Sequence, residues 1–451
     1  MKSILSPAQK SASPISSSFS HSVAQDPPSF APITATAGRG DRAGFGGSLG
    51  SNAKYSAEKP EKTPIDPMAA RVQRFALQSV ARKFLPESRT DKCLRLRAYG
   101  QDIKVIRSIE YKTASYTGLQ TCGSVWACPV CAAKIAERRR VELKTAMTIH
   151  EAKGGGVYLL TNTTPHQRTD NLAVLLGKQA LALKYFKTDF TVRAIFKELG
   201  IIGQVRALEV THGRKSPKNN GWHPHYHFLL FGRSGVDLND AADRLYPRWA
   251  ACCVRAGLGE PSRLHGLKVD GGEYADQYVI KWGLEDEMTK GHTKKAINGE
   301  TPFDFLRAYL ADSSDKQAGA LFKEFAHTFK GKRQLHWSSG LKKLFGIGEE
   351  TDEELLAKTE DDAAFLGMIT LEQWKEVLRD DGRAFILQLA AKFGWSPVAE
   401  YLEVMQERHE SRRMLEYLDC FDQVTEGWSD DKKAAFKKSI DEQKERGLCH
   451  E

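Results

Sequence analysis

The sequence predicts an α+β fold, and three features of its pattern support this prediction. Two short apolar and aromatic segments, 205–211 and 225–231, flank a loop rich in Gly, Pro and Asn, which is typical of a β-hairpin with a long connection. A further strand-like segment covers 156–163. Helical patterns cover 172–199 and 238–257. We therefore expect strands and helices to pack around a shared core.

The two ends of the chain differ from this region in residue composition and in sequence pattern. Residues 1–65 are dominated by Ser, Gly, Ala and Pro and contain too few apolar side chains for a core, so we predict a disordered tail. The capping-box pattern, in which Glu or Gln follows Thr by three residues, occurs twice within 350–451, at Thr351 and at Thr370. We therefore predict a small all-α unit at this end of the chain.

Charge is distributed unevenly along the 451 residues. The net charge of +9 divides into +12 over 1–140, +7 over 141–350 and −10 over 351–451. The basic body favours a polyanionic partner, although an inert basic surface would give the same count. The sequence has no apolar run of about 20 residues and no apolar secretory segment, so we expect a cytoplasmic protein without a membrane span. Eight cysteines are too few for a disulfide scaffold.

Three cysteines lie within ten residues of one another, at Cys122, Cys128 and Cys131, and Cys93 is a plausible fourth. The Cys-Pro-Val-Cys turn presents two thiols on one side, and a structural zinc site takes four such ligands in a tetrahedron. In a reducing compartment this spacing favours Zn²⁺ over a disulfide, with buried or redox-active thiols as the alternative. The remaining thiols are interpreted as inert: Cys252, Cys253, Cys420 and Cys449.

The most informative strand carries three histidines in five residues. Side chains alternate along a strand, so His225 and His227 share one face and form half of a divalent-metal site. The third ligand is predicted to be Glu209 on the preceding strand, with His223 as the competitor. A carboxylate with two imidazoles leaves coordination positions open and suits Mg²⁺ or Mn²⁺ acting on a phosphate.

A helix is predicted over 273–282, and it places Tyr274, Tyr278 and Lys281 on one face because they are spaced at i, i+4 and i+7. A phenolate that attacks a phosphodiester forms a covalent phosphotyrosine, and a nearby Lys can neutralise the developing charge. Two helical tyrosines alone are more often packing residues. Their position after the histidine strand favours the catalytic interpretation.

These motifs together resemble those of HUH endonucleases, in particular the rolling-circle replication initiators (Rep proteins) of bacterial plasmids. The HUH signature is His225-Tyr226-His227, and the tyrosine motif looks like that of the two-tyrosine class. The cysteine segment 121–131 followed by Glu137-Arg-Arg-Arg140 is similar to that of plasmid Rep proteins. The family's Thr-Leu-Thr strand ending is Thr161-Asn162-Thr163 here, which departs from the pattern. The resemblance spans about 90–310.

The resemblance implies a central antiparallel sheet with the histidine strand in its middle. It implies nicking of one strand at a plasmid or phage origin in the bacterial cytoplasm, with the 5′ phosphate held on tyrosine and the displaced strand later rejoined. Tyr278 would be the first nucleophile, Tyr274 the second, and Lys281 would assist. If only one tyrosine acts, Glu273 could activate a water molecule. The chain then divides into a tail (1–65), a zinc-binding segment with a basic helix (66–150), an HUH nuclease domain (151–312) and a helical C-terminal region, acidic from 351 (313–451).

The expected partners are origin DNA, partly single-stranded, and the host replication machinery. The acidic end of the chain is a candidate for docking a host helicase or for self-association. Basic side chains are predicted to contact DNA phosphates: Arg138, Arg139, Arg140, Arg214, Lys215 and Lys218. Two other functions remain open, namely a two-tyrosine HUH transposase and a zinc-containing DNA-binding regulator that has lost catalysis.

Overall fold

The computed structural model describes residues 67–109, 112–217, 219–271, 299–357, 363–408 and 425–445. The predicted tail over 1–65 and the predicted tyrosine helix lie outside the described residues, and so therefore do Tyr274, Tyr278 and Lys281. Lys218 also lies outside them. Among the helices that are described, none has the length and apolar character needed to span a membrane.

Eight strands are described within these ranges. They are β1 (Ile103–Ser108), β2 (Ala114–Thr117), β3 (Gly155–Thr163), β4 (Gly203–His212), β5 (Trp222–Arg233), β6 (Leu267–Asp270), β7 (Leu335–Trp337) and β8 (Ala363–Ile369).

The helices of the first half are α1 (Pro67–Phe84), α2 (Arg89–Lys92), α3 (Pro129–Ala152), α4 (Leu172–Thr188), α5 (Phe190–Glu198) and α6 (Leu238–Arg255). Those of the second half are α7 (Pro302–Ala311), α8 (Lys316–Phe329), α9 (Leu341–Leu344), α10 (Asp352–Ala357), α11 (Leu371–Arg379), α12 (Arg383–Phe393), α13 (396–408) and α14 (Asp430–Glu445). The mixture confirms the α+β prediction.

The larger sheet has five antiparallel strands in the order β6-β3-β5-β4-β7, with β5 in the middle. The predicted hairpin is formed by β4 and β5. One face of β5 buries Tyr226, Phe228 and Leu230 in a core shared with α4, α6 and α8. The other face buries Leu229 and Phe231 against α3. Helices therefore cover the central strand on both sides, which explains its nearly continuous apolar sequence.

The segment 172–199, predicted to be mostly helical, forms two helices. Asp189 has an extended backbone, with φ −63° and ψ 130°, and its side chain accepts a hydrogen bond from the backbone N–H of Val192. This aspartate ends α4 and caps the start of α5. An aspartate inside an apolar periodic run is a weak sequence signal, so the periodicity alone conceals the break.

The prediction of an all-α unit over 350–451 is wrong, because this region contains β8. β8 pairs with β1 in a second antiparallel sheet of order β2-β1-β8, with Ile103 opposite Ile369 and Ser108 opposite Ala363. A short apolar run does not reveal by periodicity whether it is strand or helix. Pairing with β8 provides hydrogen-bond partners for the backbone groups along one edge of β1, which would otherwise be unpaired. Both predicted capping boxes are present, at the starts of α10 and α11.

One buried cation connects the C-terminal region to the first helix. Arg383 at the start of α12 is fully buried, and its guanidinium donates hydrogen bonds to Gln78 Oε1 at 2.8 Å and to the backbone carbonyl of Leu94 at 3.3 Å. It also pairs with Asp381 at 3.0 Å and lies 4.8 Å from the ring centre of Phe75. The two distant parts of the sequence therefore share one core.

We expect Arg383→Ala to lower the free energy of unfolding by about 3 kcal/mol, because it leaves buried acceptors and a carboxylate without their cation. Chemical denaturation followed by circular dichroism measures this loss. Arg89→Ala is the matched control, since Arg89 is 67% exposed and its ion pair with Glu353 is 3.6 Å long. The control should change the stability by no more than about 0.5 kcal/mol. Equal losses in the two variants would contradict the assignment.

Candidate metal centre on the central strand

Glu209, His225 and His227 converge on one face of the five-stranded sheet. The strand register places Glu209 directly opposite His225, and His227 follows two residues later on the same face of β5. Glu209 Oε2 lies 3.2 Å from His225 Nε2 and 3.4 Å from His227 Nε2. One ligand atom from each of the three residues falls within 4.8 Å of the others. His223, the competing third ligand, is not part of this group.

The outer nitrogen of each imidazole has its own oxygen partner. His227 Nδ1 lies 2.9 Å from Thr161 Oγ1 on β3, and His225 Nδ1 lies 3.3 Å from the backbone carbonyl of His223. With a cation bound between the rings and Glu209, Nδ1–H would donate to these oxygens and the Nε2 lone pair of each ring would be free for the metal. Metal-binding histidines in proteins are usually held in this way. Thr161 therefore orients the His227 ring.

The charges of the group suit a divalent cation. Burial by itself would raise the pKa of Glu209, but the His227 and His225 imidazoles outweigh burial and lower that pKa below its ordinary value. Burial lowers the pKa of His227, which favours the neutral ring. Neighbouring ligands of an octahedral cation lie about 3 Å apart when each bond is about 2.1 Å, close to the two distances here. Three protein ligands leave further positions open to a substrate oxygen.

A polar cleft of about 550 Å³ adjoins this centre. Its walls include Thr164, His166, His223 and His265. His166 stacks on His223 with ring centres 4.5 Å apart, and His223 is 5.3 Å from the His225 ring. Burial lowers the pKa of His223 well below its ordinary value. A row of imidazoles thus leads from the cleft to the metal centre.

The cleft contains residues that the sequence patterns did not single out. The hydroxyl of Thr164 is buried and has no hydrogen-bond partner among the described residues, and Thr164 is one of the residues that line the cleft. His265 is in the loop before β6. Isolated polar residues in loops carry no periodic signal, so only the folded chain reveals their position. His166 stacks against His223 and does not join Glu209.

The four cysteines form a second cluster with metal-binding geometry. The sulfur of Cys93 lies 3.5 Å from that of Cys131 and 3.8 Å from that of Cys128, and Cys122 is 3.7 Å from Cys131. All four are buried, and these separations are too long for a disulfide. Sulfurs in a tetrahedral zinc site are about 3.8 Å apart when the Zn–S bond is about 2.3 Å. The arrangement therefore fits a closed structural Zn²⁺ site.

Two neighbours support the cysteine cluster. Cys128 occupies the N-cap position of α3, and Gln78 of α1 donates a hydrogen bond to its sulfur at 3.2 Å. Cys252 and Cys253 are buried in α6 and do not belong to the cluster. Burial raises the pKa of Cys253 to about 12, which keeps this thiol protonated.

The predicted DNA-contacting side chains differ in their availability. Arg214 is only 6% exposed and pairs with Glu300 at 2.8 Å and Asp315 at 2.7 Å, so it has a structural role that the sequence does not reveal. Arg139 pairs with Glu142 and Asp352, and Arg140 pairs with Glu137. Lys215 is 64% exposed and lies 3.1 Å from Glu300. Arg138 is partly exposed and forms no ion pair within the described ranges.

We expect Thr161→Val to weaken Mn²⁺ binding about tenfold, because His227 loses the hydroxyl that orients its ring. Titration of free Mn²⁺ by electron paramagnetic resonance measures the affinity. Thr163→Val is the matched control on the same strand, since the Thr163 hydroxyl donates to the backbone carbonyl of His265 at 2.5 Å. The control should bind Mn²⁺ as the unmodified protein does. The same affinity in both variants would remove the role assigned to Thr161.

We expect the purified protein to hold about one Zn²⁺ in the cysteine cluster and Cys128→Ser to lose it, because a closed site needs all four ligands. Elemental analysis measures the zinc content. Cys252→Ser serves as the control for loss of an unrelated buried thiol, and His225→Ala tests whether the zinc lies at the other centre. Both should retain the zinc. Unchanged zinc in Cys128→Ser would rule the site out.

Two known proteins are similar in sequence to this chain. A protein named Protein rep from Streptomyces lividans is 26% identical over 346 residues, which cover 59% of this chain and 74% of the relative. A protein named Neomycin resistance protein from Streptomyces cyanogenus is 29% identical over 141 residues, covering 25% of this chain and 30% of that protein. No protein-family model matches the chain, and no solved structure matches it. The chain is thus similar over 59% of its length to a protein named Protein rep.

Proposed function

We propose that this protein is a metal-dependent DNA endonuclease that nicks one strand at a plasmid or phage origin, initiates rolling-circle replication and rejoins the displaced strand. The observation that carries the proposal is the meeting of Glu209 on β4 with His225 and His227 on β5. The similarity to Protein rep supports the replication role. The basic charge of residues 1–350 fits a DNA partner.

In this proposal Glu209, His225 and His227 hold the cation. A bound Mg²⁺ or Mn²⁺ would polarise the scissile phosphate and neutralise the charge that develops on it. Thr161 keeps His227 in position, and the backbone carbonyl of His223 does the same for His225. The cleft beside His223 is the proposed route by which an unpaired stretch of the strand approaches this centre.

The covalent step is assigned to Tyr278 on the basis of the HUH resemblance. Its phenol loses a proton, its oxygen bonds to the phosphorus, and the bond between phosphorus and the 3′ oxygen breaks. The 3′ oxygen takes up a proton and becomes a free 3′-OH primer end, while the 5′ phosphate stays on tyrosine. Lys281 is proposed to balance the charge, and Tyr274 to perform the second transfer that closes the displaced strand.

The remaining assignments follow from the sites described above. The cysteine cluster is proposed to hold a structural Zn²⁺ that fixes the start of α3. Arg138, Lys215 and Lys218 remain the proposed phosphate contacts among the predicted basic residues. Recruitment of a host helicase by the acidic C-terminal region is also retained as a proposal, because its net charge of −10 keeps it apart from DNA.

The proposal predicts a covalent adduct of defined polarity. Single-stranded oligonucleotides that tile the DNA around the gene are incubated with the protein and Mn²⁺, and the products are separated on denaturing gels. We expect the 3′-labelled fragment to stay on the protein and the 5′-labelled fragment to be released. Tyr278→Phe should abolish the adduct, because it removes the attacking oxygen.

Two comparisons make this experiment decisive. Tyr185→Phe changes a half-buried tyrosine of α4 outside the motif and should leave the adduct intact. Tyr274→Phe should still form the first adduct and fail in the transfer to a second oligonucleotide. Full adduct formation by Tyr278→Phe would refute its assignment. DNA binding without any adduct in the unmodified protein would identify the chain as the non-catalytic regulator.

A further inference from the structure

Three cationic side chains and a histidine gather at the margin of the large sheet formed by β4 and β7. Arg206 on β4 and His336 on β7 are direct partners in the strand ladder. Lys187 is in the last turn of α4, and Arg333 precedes β7. We call these four residues the β7 patch. Lys187, Arg333 and His336 are exposed, and Arg206 is half-buried.

The β7 patch is on the opposite face of the sheet from the metal centre. Arg206 is paired with Phe228, whose side chain is buried in the core on the α4 side. Glu209 is three residues further along β4 and therefore faces the other way. The Arg206 guanidinium lies 5.3 Å from the centre of the Tyr226 ring, a contact that holds it at the margin of this face.

Carboxylates do not balance the β7 patch. Within the described part of the chain none of its four side chains forms an ion pair, and Arg206 Nε is buried without an acceptor. Neither α4 nor the segment 325–348 contains an Asp or a Glu. The two nearest acidic residues along the chain from Lys187 are already paired, Asp189 with Arg248 and Glu198 with Arg244.

The three cations and His336 are close enough to affect one another. Burial lowers the pKa of Lys187, and the charge of Arg206 lowers it further. Burial also lowers the pKa of His336, together with the charges of Arg206, Lys187 and Arg333. Like charges placed together in this way repel, and an anion bound between them would relieve the repulsion.

Two simpler explanations cover only part of this patch. Charged residues on an edge strand prevent pairing with another chain, which would account for His336 and Arg333. A Lys in the last turn of a helix offsets the helix dipole, which would account for Lys187. Neither accounts for Arg206, which is on the inner strand β4, half-buried and without an acceptor at Nε.

We propose that the β7 patch binds the phosphate backbone of DNA, on the opposite side of the sheet from the metal centre. The choice of DNA as the polyanion rests on the proposed function. Two binding regions on opposite faces allow one stretch of DNA to be held by its backbone while another stretch enters the metal centre. Phosphate contacts of this kind position DNA without reading its sequence.

The test uses Lys187→Gln combined with Arg333→Gln, since both side chains are exposed and their loss should not disturb folding. Fluorescence anisotropy gives the affinity for a duplex of about 30 base pairs and for a single strand of the same length, between about 50 and 200 mM salt. Arg244→Gln is the matched control, because Arg244 is also on the surface but is paired with Glu198 and Asp240.

If the β7 patch holds duplex DNA, we expect the slope of log affinity against log salt concentration to become less steep by about 2 in the duplex measurement. If it holds single-stranded DNA, we expect the slope to become less steep by about 1.4 in the single-strand measurement. The measurement that changes identifies the form of DNA bound. The control should keep the slope of the unmodified protein. An unchanged slope in both measurements would overturn the proposal. Because the readout is binding, it stays interpretable even if no adduct forms, so failure of the patch and failure of the nuclease are distinguishable.

Discussion

The alignment of β4 with β5 is the constraint on which the candidate site depends. It places Glu209 opposite His225, and the alternation of β5 brings His227 to the same face. A slip of one residue would turn both imidazoles away from the carboxylate. The slip is prevented because β5 is buried on both sides, with Phe228 and Leu230 in one core and Leu229 and Phe231 in the other. Core packing therefore determines the metal geometry.

The cysteine cluster supports the same face of the large sheet through α3. Cys128 and Cys131 fix the first turn of this helix, and its later residues Leu143 and Met147 pack against the sheet beside Leu229. A cation among the four sulfurs would thus hold the start of a helix that closes one core. In this arrangement Cys128 and Cys131 support the large sheet from a distance without touching Glu209, His225 or His227.

Much of the site could be predicted because its chemistry is local in the sequence. The two histidines and three of the four cysteines lie in short motifs, the glutamate is on the preceding strand, and the structure brings each set together and adds Cys93 to the cysteines. Features that depend on distant partners could not be predicted. The partners of Arg214 are Glu300 and Asp315, far along the chain, and their approach requires the finished fold.

The pairing of β1 with β8 has a consequence for how the protein is made. The partner strand of β1 is synthesised about 260 residues after it, so one edge of β1 stays uncovered while most of the chain leaves the ribosome. The cysteine-bearing segment therefore completes its core late, after the large sheet has had time to form. Nascent chains that stop before residue 363 would leave one edge of β1 unpaired. An unpaired strand edge can pair with another chain, so early termination would lead to aggregation.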